Sequence, residues 1–408
     1  MRFASSQLSI YLKKATNTTS FIFLLCALCV FVVKPLLSAE APVSFRATNA
    51  KLESDYPCLA WTGSTLGAAW MDGRDGNEEI YFRPVAPAAR TLGPEVRLTD
   101  SANWDYQPQL VWNGSNFGLL WMHERKEKRD VYFIRLSESG GKIGSPVRIV
   151  NQAMIEKPTR LAWTGRGYGA VWTDYRPGNP EIFFSPLSAS GQPAGSPVRV
   201  TEGQGMSEPG ALLWTGSSFA LVYLDSRDGA KQVYFTRLAE TGARLGPEQK
   251  LSTAPGDCTT PALAWNGNAL AAVWTQPQSG SRQLMAAIMS GAGAIRGAGD
   301  PTRAPLQLTS DPSDKIQAAV AASPAGFGLS FWARTGPSRV LQFLFLPASG
   351  PPSAARSLTP ARRAEGDLQA STVCPFLTMA FDGAAFDIGW VDLKEEMNSE
   401  IYITRVKP

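Results

Sequence analysis

The sequence contains one histidine, His123, and five cysteines. A lone histidine excludes a metal site built from several imidazoles. It would also be the only base available to Ser-His-Asp chemistry. No Gly-x-Ser-x-Gly elbow, phosphate-binding loop or dinucleotide fingerprint occurs. No catalytic residues, metal or cofactor are therefore assigned, and a non-catalytic role is favoured while an enzymatic one stays open.

Acidic residues are missing from the first 39 positions, which carry Arg2, Lys13, Lys14 and Lys34. Residues 21–33 form an apolar run that is short for a membrane span and fits a signal-peptide core. Ser38 and Ala39 supply the small residues of a cleavage site. Residues 1–39 thus read as a signal peptide, with an uncleaved anchor as the alternative, and residues 42–408 as one domain. A periplasmic or secreted location follows, with membrane contact only through an uncleaved leader. Without the four leader cations, 35 of the 39 Lys and Arg remain against 35 Asp and Glu. A neutral domain has no broad attraction for nucleic acid. Cys26 and Cys29 lie within the leader. Cys58, Cys258 and Cys374 remain, at spacings that match no zinc motif. An oxidising compartment permits one disulfide.

Turn-formers are plentiful: 37 glycines and 30 prolines. That favours many short strands. Trp61, Trp112, Trp163, Trp214 and Trp265 recur every 51 residues, within PCLAWTG, PQLVWNG, TRLAWTG, GALLWTG and PALAWNG. Nine residues after each stands a second large ring: Trp70, Trp121, Trp172, Tyr223 and Trp274. Trp332 and Trp390 mark two more copies at gaps of 58 residues. Each of the seven units reads as four strands. A Thr-Gly or Asn-Gly turn follows the first, a polar turn the second, and a Gly-Pro turn precedes the fourth. Four antiparallel strands per repeat of this length indicate a β-propeller. The expected fold is all-β, with seven blades. Unit seven ends after its third strand, and Phe45-Arg46-Ala47-Thr48 matches Val96-Arg97-Leu98-Thr99. This N-terminal strand is expected to close the last blade. Cys58 and Cys374 would then lie in neighbouring blades, where a disulfide could staple the closure. Eleven of the twelve Trp residues occupy the two repeat slots, which points to packing between blades.

The text Arg74-Asp75-Gly76-Asn77-Glu78-Glu79-Ile80-Tyr81 resembles the TolB-like (WD-like) β-propeller repeat family. So does the junction Leu98-Thr99-Asp100-Ser101, Tyr106-Gln107-Pro108, Trp112-Asn113-Gly114. The resemblance runs through almost the whole chain after the leader. It implies a periplasmic propeller that docks partner proteins. Two features depart from TolB: there is no room for its N-terminal α/β domain, and there are seven blades where TolB has six.

In a propeller the loops between second and third strands share a face with the connections between blades. Asp72, His123, Asp174, Asp225, Gln276, Arg334 and Asp392 fall there at one repeat position. Arg74, Arg125, Arg176 and Arg227 follow two residues on. Such a ring could clamp a ligand. Its repetition favours a structural role, with each Asp capping its turn and each Arg pairing with a loop. Trp104 is the one Trp outside the slots, within Asn103-Trp104-Asp105-Tyr106, and the preceding connection holds Asp55 and Tyr56. Aromatics beside acids suit protein or carbohydrate recognition. The candidate binding face is therefore Trp104, Asp105, Tyr106, Asp55, Tyr56 and the four arginines. The leading expectation is a monomeric, non-catalytic scaffold for an envelope or extracellular protein. A sialidase-type glycosidase and a carbohydrate-binding lectin are the alternatives. The Ser-x-Asp-x-Gly box of sialidases is missing.

Overall fold

The computed structural model describes residues 42–50, 52–126, 128–153, 159–291, 293, 305–363, 377–394 and 398–408. The expected leader and Cys374 lie outside the described residues. Seven antiparallel sheets follow one another along the chain. Blades one to six span residues 54–97, 104–153, 160–199, 207–250, 259–307 and 314–363. Blade seven joins Leu377–Phe381, Phe386–Lys394 and Asn398–Val406 to Val43–Arg46 from the other end of the chain. Contacts between successive first strands run around the ring and return from blade seven to blade one. This is a seven-bladed β-propeller.

The second strands explain the apolar text of the repeat. Leu66–Asp72 and Phe219–Asp225 are buried at every residue, because a blade is covered on both faces. Such strands need continuous apolar sequence, not alternation. A small residue and a ring then fit one blade to the next. A Cβ on Gly67 would stand 2.4 Å from the Phe117 ring of the following blade, and one on Gly169 2.5 Å from Phe219. Among the described residues the core is divided. Seven apolar clusters lie between adjacent blades, one at each interface. The second-slot rings fill them: Trp172, Trp274, Trp332, Trp390 and Tyr223 are fully buried.

The blade-seven pairing has the register Val43↔Arg405 to Arg46↔Tyr402. It begins two residues before the segment matched by sequence, and Ala47 and Thr48 continue it through other bonds. Ala47 N–H donates to the Ile401 carbonyl at 2.7 Å. Glu400, fully buried, accepts from Thr48 Oγ1 at 2.6 Å and from Arg46. Thr48 Oγ1 also accepts from Ile401 N–H at 2.9 Å. Blade three repeats the arrangement within one stretch of chain. Glu181 accepts from Thr201 Oγ1 at 2.5 Å and Arg199 at 2.9 Å, and Ile182 N–H donates to Thr201 Oγ1 at 2.9 Å. Blade one keeps part of it: Glu79 accepts from Arg97 at 3.2 Å and Ile80 N–H donates to Thr99 Oγ1 at 2.8 Å, but Glu79 Oε2 accepts no bond among the described residues. The Arg-x-Thr of the fourth strand thus latches onto a buried Glu at or near the start of the third. Cys58 is a buried free thiol that donates to the Ala69 carbonyl.

Candidate functional site

The repeated Asp closes its own turn and does three jobs. Asp72 accepts from Arg74 N–H at 3.1 Å, from the Arg74 guanidinium at 2.7 Å through both Nε and Nη2, and from Trp70 Nε1 at 2.9 Å. The last bond satisfies an indole N–H inside an apolar layer, where an unpaired donor would cost about 1–3 kcal/mol. Asp225 and Arg227 form the same fork, and so do Asp174 and Arg176. Arg74 and Arg227 each reach a second carboxylate, Glu95 and Glu248, supplied by a Gly-Pro-Glu turn. Their guanidiniums also lie 4.6 Å from the ring centres of Tyr81 and Tyr234. Blade three has Pro197 where those Glu residues stand, and the Arg176 side chain is 50% exposed. Arg125, at the end of its strand, is exposed.

Blade two exchanges the partners across the hairpin. Ser54 faces Asp72 in blade one, whereas Asp105 faces His123 in blade two. The carboxylate has moved to the first strand, yet it still receives the indole: Trp121 Nε1 donates to Asp105 at 2.7 Å. His123 Nδ1 lies 2.9 Å from the same oxygen. Burial raises the pKa of Asp105 despite these two bonds. His123 is thus a structural partner within a hydrogen-bonded group.

The aromatic–acid candidates separate in space. Trp104 is 53% exposed, whereas Asp105 is buried. Tyr106 is half-buried and donates to Glu124 at 2.8 Å. Asp55 is buried and accepts from Ser399 of blade seven at 3.0 Å; burial lifts its pKa to about 6. Tyr56 borders the central channel. Trp104 instead lies over a groove of about 310 Å³ between blades one and two, with Leu52, Glu53, Met71 and Glu78. Leu52 is also exposed, at 47%. The connection that carries Trp104 is pinned. Asn77 Nδ2 donates to the Ser101 and Asn103 carbonyls, and Asp105 N–H donates to the Glu78 carbonyl. Leu52, Glu53 and Glu78 belong to the same surface but carry no repeat signal of their own.

The central channel, about 120 Å³, draws on all seven blades. Bulges in the first strands shape it. Registers shift between Asp55 and Cys58, Tyr106 and Gln109, Thr259 and Ala262, and Ile316 and Ala319. Tyr56, Gln107, Thr260 and Gln317 take positive φ at these bulges. Among the described residues Arg160 alone brings a charge to the channel wall, and its Nε donates to the Gly210 carbonyl at 2.5 Å. Sequence reasoning missed Arg160, although it breaks the pattern: the same position holds Cys58, Gln109, Ala211 and Ala262 in other blades.

No protein-family model matches the sequence, and no curated protein does. Solved structures resemble it in fold. The β-propeller domain of Cps50 (Swd1) from Myceliophteria thermophila matches with a TM-score of 0.51 at 13% identity, over 88% of this chain and 99% of that one. A structure from a study of two prolyl endopeptidases matches with a TM-score of 0.50 at 14% identity, over 85% and 47%. An acylaminoacyl peptidase from Pyrococcus horikoshii matches with a TM-score of 0.49 at 11% identity, over 86% and 51%. The chain spans about half the length of these two peptidase structures. At such identities the likeness shows the β-propeller fold alone.

Proposed function

We propose that the chain is a non-catalytic interaction scaffold that docks a partner protein on the face bearing Trp104. One observation carries the reading. Arg74, Arg176 and Arg227 spend their forks on their own Asp residues, while Trp104 stays exposed on a pinned connection beside exposed Leu52. Tryptophan on a rigid support is a common anchor of protein interfaces. The repeat's resemblance to TolB-like propellers and the apolar leader support a periplasmic or secreted setting.

Affinity capture from the native envelope with wild type and Trp104→Ala tests this. The variant is expected to retain its melting temperature, because the side chain it loses is exposed, and to lose most of its captured partner. Undiminished capture would remove the proposed anchor. Cleavage of the leader is read by the N-terminal sequence of exported protein, expected to start after Ala39.

A further inference from the structure

The groove between blades one and two differs from its counterparts in charge. By strand register, the residue before the buried acid or amide of each third strand is Glu78, Arg129, Pro180, Lys231 and Arg282 in blades one to five. Blade one alone among these places an acid there. Two of the three cations at this position are ion-paired, and the third, Arg282, donates to the Asp257 carbonyl at 2.8 Å. Lys231 binds Glu208 at 2.9 Å, and Arg129 binds Glu124 at 2.8 Å. Glu78 instead lies near a second acid, Glu53, and their repulsion adds to burial in raising the pKa of Glu53. Neither acid pairs with a cation among the described residues.

The molecule also shows what completes such a set. Arg74 stacks on Tyr81 and is held by Asp72 and Glu95. Arg227 stacks on Tyr234 and is held by Asp225 and Glu248. The groove holds the ring and the two carboxylates of these stacks, as Trp104, Glu53 and Glu78, without the guanidinium. Indole is the most favourable aromatic face for a cation. Arginine suits a planar ring and paired carboxylates better than lysine does. We propose that this groove receives an arginine side chain from an extended segment of the partner protein, stacked on Trp104 and ion-paired with Glu53 and Glu78. The inference rests on the docking reading above and names the chemistry of the partner.

A capped pentapeptide with one central arginine, titrated into the full chain, tests it. The readout is the Trp104 indole resonance, assigned by its loss in Trp104→Phe. The arginine peptide is expected to shift that resonance saturably. A citrulline analogue, which keeps the shape and loses the charge, should bind at least about tenfold more weakly. Glu53→Gln combined with Glu78→Gln should weaken the arginine peptide by a similar factor without lowering the melting temperature. Rising salt should weaken it further. No saturable shift, an equal response to citrulline, or undiminished binding to the double variant would overturn the inference. Equal binding of a lysine peptide would overturn the choice of guanidinium. If the peptide fails while Trp104→Ala still reduces partner capture, the arginine inference falls and the docking reading stands. If the peptide binds but capture ignores Trp104, the docking reading falls.

Discussion

Blades three and seven use the same latch but differ in how the chain reaches it. In blade three, Glu181 and Arg199 are 18 residues apart. In blade seven, Arg46 and Glu400 are separated by 354. The bonded groups match: a buried Glu, a Thr that both donates and accepts, and an Arg at the sheet edge. The geometry of a blade is therefore indifferent to chain continuity, while the entropy of forming it is not. Loop-closure entropy grows slowly, by about 0.6 kcal/mol per doubling. Lengthening the loop from 18 to 354 residues costs about 2–3 kcal/mol by that rule. Closure offsets this by covering the open edge of the third strand and sealing the apolar layer between blades seven and one.

The largest expected effect comes from removing the closing strand. Deletion of residues 42–50 exposes the edge of Asn398–Val406 and strips Glu400 of its donors. A fall in melting temperature of about 10 °C or more, or loss of cooperative unfolding, is expected. A melt unchanged from wild type would end the equivalence of the two blades. Next come Glu400→Ala and Glu181→Ala, each of which leaves a buried Thr and an Arg without their acceptor. Each should cost roughly 2–4 kcal/mol in denaturant titration, and the two costs should agree. A much smaller loss at Glu400 would mean that the closing strand is held by packing alone.

A pH-dependent effect sharpens the same junction. Asp55 of blade one accepts from Ser399 of blade seven, and burial lifts its pKa from the ordinary 3.8 to about 6. Folding therefore favours its protonated form. The stability this gives is complete below about pH 4 and lost as pH rises through about 6. Asp55→Asn should match wild type near pH 4 and be more stable at pH 8, by up to about 2–3 kcal/mol. A thermal-melt series showing equal slopes with pH for both proteins would refute this. The smallest effects are on the outer ring. Arg227→Ala removes a stacked guanidinium held by two carboxylates and should cost about 1–2 kcal/mol. Arg176→Ala removes a half-exposed one held by a single carboxylate and should cost at most about 1 kcal/mol. Reversal of that order in urea titrations would count against the shared-stack description.

The sequence made the fold legible because packing between blades demands the same ring at the same place each time. Trp61 to Trp265 announced the period, and Trp332 and Trp390 extended it. The match of Phe45–Thr48 to Val96–Thr99 was readable for the same reason, since Arg-x-Thr recurs wherever a fourth strand meets its buried Glu. The capping role of Asp72 was also legible, but its bond to the Trp70 indole required coordinates. So did the exchange in blade two, where Asp105 reaches His123 only across a hairpin. The groove was half legible. Trp104 stands out as an exception to the repeat, whereas Glu53 and Glu78 carry no such signal, and only the fold places them on one groove with it. Asp105 and Tyr106 neighbour Trp104 in sequence, but strand geometry turns them into hydrogen bonds within the blade.

The closing strand also sets a timetable. Among the described strands Val43–Arg46 is the first to be made, yet its partner Asn398–Val406 is the last of them. Blades one to six can each assemble from contiguous chain as it emerges. That first strand must wait, unpaired, while the 354 positions from Arg46 to Glu400 are made. Ring completion is then a late search between distant ends, the kind of contact that slows folding and leaves a strand edge open to other chains meanwhile.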